Sequence, residues 1–147
     1  MPYVAIDESK RALADDVSLK SLDFIVYSSS CPTWLVDVKG RRFPSGRQKR
    51  YWKNWSTRDD LRSLARWEEI FGDRFQGLFV FAYEIQGDLA PLPQEQLFDH
   101  QNGLYGFVAV PLREYAAYAR MISPKWDTVA VPTGLFRRMA EPFETLL

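Results

Sequence analysis

Asp23, Asp37 and Lys39 are the residues whose types and spacing could carry chemistry. Asp23 stands near the start of one apolar run, and Asp37-x-Lys39 lies inside the next. In an extended strand the two-residue period puts Asp37 and Lys39 on one face. If the two runs pair as adjacent strands, both carboxylates can meet at one end of a sheet. Two carboxylates, completed by a backbone carbonyl and waters, make an oxygen site for Mg²⁺ or Mn²⁺ that leaves positions for a phosphate oxygen and an attacking water. Such an ion lowers the pKa of the water and screens phosphodiester charge, while Lys39 could orient the water or offset charge developing on the phosphate. From spacing alone, an ion-paired triplet at a sheet edge carries similar weight. In either case charges inside a strong strand are expensive unless paired or bound, which marks this stretch as functional or strained.

The elements that must position these residues follow from periodicity. Residues 3–6 predict a short strand, and residues 7–16 a polar connection. Leu22, Phe24, Ile25, Val26 and Tyr27 predict a second strand, and Trp34, Leu35, Val36, Val38 and Phe43 a third, separated by the turn sequence SSSCPT. The second and third are expected to pair antiparallel. Ser56 reads as the N-cap of a helix with Asp59 and Asp60 in its first turn, an apolar stripe of Leu61, Leu64, Ala65 and Phe71, and Gly72 as its stop. Residues 75–85 are apolar on both faces and predict a central strand. A long loop over residues 87–103, a strand at 106–110, a helix at 112–121, a strand at 126–131 and a C-terminal helix at 135–147 complete the pattern. The order indicates a mixed α/β or α+β sheet domain.

The chain has 147 residues, 46% of them hydrophobic and 15% aromatic, enough for one domain with a sizeable core. No apolar run approaches a membrane span and the N-terminal residues do not read as a secretory signal, so a cytoplasmic protein is expected. The single cysteine, Cys31, excludes an intrachain disulfide and any multi-cysteine zinc site built from this chain alone. Net charge is zero, yet residues 39–55 hold seven bases (Lys39, Arg41, Arg42, Arg47, Lys49, Arg50 and Lys53) and no acid. The glycine, proline and charge of residues 41–55 predict an exposed loop that suits a polyanion such as nucleic acid, or simply a solvated one. Phe43, Tyr51, Trp52 and Trp55 interleave it. Core packing is the expectation for Trp55, and base stacking is open for Tyr51 and Trp52.

Other features carry less. His100 is the only histidine, no serine or cysteine has a recognisable nucleophile context, and the glycines form no phosphate-cradling pattern. Glu68 and Glu69 read as a solvated helix face, and Gln48 as a residue near enough to contact substrate. An apolar strand at the N-terminus without a covering helix suggests a surface that a second subunit would bury.

Asp23, thirteen residues, then Asp37-Val38-Lys39, with a helix after the second element, resembles the PD-(D/E)xK nuclease superfamily. The blocks VAIDESKRAL, SLKSLDFIVYS and WLVDVKGRRFPSG resemble an uncharacterised bacterial family of this type named for an HYExAFE motif, a similarity covering residues 3–85. The resemblance implies a restriction-endonuclease-like mixed β-sheet flanked by helices, metal ligation by Asp23 and Asp37, and assistance to hydrolysis by Lys39. The basic segment would then supply phosphate contacts through Arg41, Arg42, Arg47, Lys49, Arg50 and Lys53. The family places its named motif, with a glutamate, on a helix before the first strand. No HYExAFE occurs here, so either that helix lies upstream or this member lacks the glutamate's contribution, and Glu8 is a poor substitute.

Overall fold

The computed structural model describes residues 1–7, 11–14, 17–30, 32–44 and 52–147. Strands Tyr3–Ala5 (β1), Arg11–Ala14 (β2), Val17–Lys20 (β3), Phe24–Val26 (β4) and Thr33–Phe43 (β5) precede the short β6 at Ser56–Thr57. Helix α1 spans Arg58–Phe71, followed by β7 at Phe75–Ile85, β8 at Leu97–His100 and β9 at Gly103–Pro111. Helix α2 (Leu112–Tyr118), strands β10 (Arg120–Ser123) and β11 (Thr128–Ala130), helix α3 (Thr133–Met139) and strand β12 (Glu141–Pro142) complete the chain.

The protein is a mixed α+β fold. Its main sheet has the order β1-β4-β5-β7-β9-β12, with β8 pairing β9. Neighbours run antiparallel except β5 and β7, which are parallel and joined by the crossover through α1. The predicted antiparallel pairing of β4 with β5 is present, Phe24 opposite Val36 and Val26 opposite Trp34. Residues 75–85 form the predicted central strand, with β5 on one side and β9 on the other.

Strand alternation sorts the core into two layers. Leu35, Phe43, Phe79, Phe81, Tyr83, Val108 and Val110 pack with Leu64 of α1, Leu112 and Tyr115 of α2, and Phe136 of α3. Trp34, Val36, Leu78, Val80 and Ala109 form the opposite layer with the C-terminal Phe143, Leu146 and Leu147. Gly77 is small because both helices press on it: a Cβ there would lie 2.8 Å from Leu64 Cγ and 3.0 Å from Leu112 Cβ. Gly72, with φ of +94°, ends α1 as predicted.

Several expectations change. Within the supposed polar connection, residues 11–14 pair with β3 as a hairpin. Residues 41–43 belong to β5 rather than to a loop, held by the parallel ladder to Tyr83, Glu84 and Ile85. The long loop contains β8, paired to β9. The helix from Leu112 ends at Tyr118, where the chain turns into β10. The C-terminal helix ends at Met139, and Glu141 and Pro142 become an edge strand on β9. Each strand gained here is held by its pairing with another strand, whether the next one in the chain (β2 with β3, β8 with β9) or a distant one (β5 with β7, β12 with β9), and that pairing overrides the local pattern. Cys31, Arg47, Gln48, Lys49, Arg50 and Tyr51 lie outside the described residues.

Candidate functional site

Asp37, Lys39 and Arg41 alternate with Val36 and Val38 along β5, on the face covered by α1. The register puts Asp37 beside Phe79 and Lys39 beside Phe81, so both charges enter an aromatic layer. Lys39 Nζ lies 2.8 Å from Asp37 Oδ1, as the shared face predicted. A third acid completes the arrangement: Asp60 Oδ2 is 3.2 Å from the same ammonium.

Asp60 is fixed by helix-capping chemistry. Thr57, not Ser56, is the N-cap of α1; its hydroxyl accepts from Asp60 N at 3.1 Å, and Thr57 N donates to Asp60 Oδ2 at 2.8 Å. Ser56 instead donates its hydroxyl to Asp60 Oδ2 at 2.9 Å from a buried position. Lys20, at the end of β3, reaches Asp60 Oδ1 at 2.6 Å. Sequence reasoning read Asp60 as a first-turn acid favoured by the helix dipole. The signal that would have singled it out is the spacing Thr57-x-x-Asp60, a capping box whose acid faces the sheet. Lys20 carried no comparable signal, because its position depends on the β2–β3 hairpin.

Asp23 reaches the site through the backbone. Its Oδ2 accepts from Val38 N at 2.5 Å, between the two charged residues of β5, and Asp23 N donates to Val36 O at 3.0 Å. Asp23 therefore stands beside Asp37 and Lys39 at the start of β4, and its charge acts on Asp37.

The two acids that share Lys39 differ electrostatically. Burial pushes Asp37 up to about 6, outweighing the attraction of Lys39, and repulsion from Asp60 and Asp23 adds to the rise. Burial acts the same way on Asp60, but Lys39, Lys20 and the Thr57 amide and hydroxyl overcome it and hold Asp60 well below the usual carboxylate range.

Among the described residues no group of three or more His, Cys, Asp or Glu side chains converges for a metal. Asp23 and Asp37, the two carboxylates the sequence suggested for a metal, are oxygen donors of the type Mg²⁺ or Mn²⁺ takes, with Asp23 Oδ2 engaged by Val38 N and Asp37 Oδ1 by Lys39. Asp37 is raised chiefly by burial, with smaller contributions from the neighbouring Asp60 and Asp23 carboxylates, and a divalent cation would favour its charged form.

Of the basic residues, Arg42 is exposed and Lys53 half-buried. Arg41 is half-buried and locked: its guanidinium donates to Gly40 O at 2.7 Å and to Trp55 O, and its Cζ lies 3.8 Å from the Trp55 ring centroid. Burial pulls Arg41 below its ordinary value, against the influence of Tyr83, Tyr115, Asp60 and Asp37.

The core-packing expectation for Trp55 is overturned, and of the two readings left open for Trp52 the structure has it packed against the core. Trp52 packs edge-on against Phe43, Tyr83 and Phe136 in the core, whereas Trp55 remains 38% exposed. The cause is Asn54, fully buried between them, whose amide bonds both Val131 N and Val131 O at 2.8 and 2.9 Å and whose carbonyl accepts from Tyr115 Oη at 2.6 Å. With Asn54 turned in, its neighbour Trp55 faces out. Glu68 is likewise no solvated face, since it accepts from Gly77 N at 2.6 Å. His100 is exposed at the end of β8.

A cavity of about 390 Å³ opens on the opposite face of the sheet, lined by Tyr3, Phe24, Val36, Val38, Phe98 and Phe143 among others. Its wall is almost wholly apolar, with Gln96 and Glu144 as its polar residues. No helix among the described residues is long and apolar enough to cross a membrane. Comparison with known protein families, curated proteins and solved structures gave no match.

Proposed function

We propose that the protein is a nuclease-type hydrolase, cleaving phosphodiester bonds of nucleic acid with Mg²⁺ or Mn²⁺ at the Asp37–Lys39 site. One observation carries this: Asp37 and Lys39 project together from a central strand into an otherwise aromatic layer, with Asp23 and Asp60 beside them. A fold gains little stability from such buried charge, so a chemical role accounts for it better than packing does. Asp23 and Asp37 would hold the ion, which supplies an activated water and offsets phosphate charge when bound. Lys39 places a positive charge where the attacked phosphate would gain negative charge. Asp60 holds Lys39 from the far side and Lys20 holds Asp60, fixing the ammonium in place. Arg42 and Lys53, with the basic residues of the segment between them, would contact backbone phosphates.

The test is calorimetric titration of Mn²⁺ together with cleavage assays on single- and double-stranded DNA and RNA. Wild type should bind the ion and cleave. Asp37→Ala should do neither, and Lys39→Ala should keep ion binding but lose cleavage. Cleavage undiminished in Asp37→Ala sinks the assignment. A second reading, a catalytically silent nucleic-acid-binding module on the same scaffold, is favoured by one observation: Lys39 already engages both Asp37 and Asp60. It predicts salt-dependent binding without hydrolysis.

A further inference from the structure

Trp55 combines two properties that rarely coexist: it is exposed, and it is rigidly backed. One ring face is covered by the Arg41 guanidinium, 3.8 Å from the centroid, and the same guanidinium is tied to the carbonyls of Gly40 and Trp55. The backbone on either side is anchored by the buried Asn54 and by Ser56, whose hydroxyl bonds Asp60. An indole so held loses little side-chain freedom when something stacks on it, because its conformation is already set. Trp55 as a whole keeps 38% of its surface open to solvent. Arg41 follows Lys39 by one pleat on the same face of β5, so this indole stands beside the charged cluster.

An aromatic plane next to a phosphate-directed charge is the arrangement that binds unpaired nucleotides, where the base stacks and the backbone is held electrostatically. A paired base inside a duplex has both faces occupied and cannot use it. We infer that Trp55, backed by Arg41, is a stacking platform for an unpaired base, giving the site a preference for single-stranded nucleic acid. This deepens the proposed function and rests on it. Among the described residues Trp55 belongs to neither buried layer, so core packing there does not account for it.

Fluorescence anisotropy of labelled oligothymidylate and of a labelled hairpin duplex, titrated with wild type, Trp55→Ala and Trp55→Phe, provides the test. Wild type should bind the single strand more tightly. Trp55→Ala should weaken single-strand binding roughly tenfold or more while changing duplex binding less than about twofold. Trp55→Phe, which keeps a ring, should retain most of the affinity. The salt dependence should be the same in all three, because no charge is removed. Thermal melts of each variant establish that the fold persists. Equal binding of both strands by Trp55→Ala and wild type, or equal weakening of both, overturns the stacking role alone. Failure of wild type to bind either nucleic acid overturns the nucleic-acid reading, and the platform with it.

Discussion

Lys39 and Asp60 meet across two elements: the lysine Nζ on β5 lies 3.2 Å from the carboxylate Oδ2 in the first turn of α1, while also holding Asp37 at 2.8 Å. Their side chains are 15% and 5% exposed, so the contact is a desolvated one. One ammonium therefore joins the strand of the candidate site to the helix that crosses over it.

Removing that ammonium leaves Asp37 buried without its cation and beside Asp60, which keeps Lys20, Ser56 and Thr57. Lys39→Ala should destabilise the fold by about 3 kcal/mol, measured by urea unfolding at neutral pH. Adding Asp37→Asn to that variant should recover part of the loss, since the repulsion is relieved. A loss within experimental error would mean that solvent already screens the bridge.

Asp37 and Asp60 should shape acid stability in opposite senses. Asp37 titrates at about 6 in the folded protein against 3.8 for the free side chain, so between those values the native state binds more protons than the unfolded chain. Stability from this group falls as pH rises across the window, by an amount on the order of 3 kcal/mol. Asp60 is depressed, so its contribution is present above the unfolded value of 3.8 and is lost as pH falls below it. Unfolding titrations in metal-free buffer should show Asp37→Asn flattening the profile between about 4 and 6. Superimposable wild-type and Asp37→Asn profiles there would exclude the assignment.

Asn54 replaces the missing ladder partner of Val131, donating to its carbonyl and accepting from its amide. Asn54→Ala strands both groups in the core and should cost about 2 to 4 kcal/mol. Asn54→Asp should cost at least as much, because a carboxylate cannot donate to Val131 O. Chemical denaturation with unchanged midpoints in both variants would contradict this.

Gly77 sits where α1 and α2 converge on β7. Gly77→Ala should lose about 1 to 3 kcal/mol through overpacking, as the new methyl would press on Leu64 and Leu112. Shortening Leu64 to alanine should cost less in the Gly77→Ala background than in wild type, giving a measurable coupling in a double-mutant cycle. Strict additivity would show that the helices relax without cost.

The sequence by itself determined the strands and helix whose burial is periodic and local. The apolar run of β7, the body of the charged strand β5 and the glycine-terminated α1 were legible, because each advertises its partner layer through its own spacing, although the cap is Thr57 rather than Ser56 and β5 runs on to Phe43. The common face of Asp37 and Lys39 was legible for the same reason, since the strand period alone sets it. Tertiary structure decided the rest. Strands β2, β8 and β12 are short segments whose backbone groups are satisfied only by another strand, so no local pattern announces them. Asp60 and Lys20 joined the site because the crossover helix and a hairpin bring them to β5 from distant positions in the chain. Trp55 faces out against expectation because its neighbour Asn54 buries its amide against Val131, a hydrogen-bonding demand between residues 77 positions apart. Spacing specifies which side chains share a face, whereas long-range polar satisfaction decides which of them face the core and which face solvent.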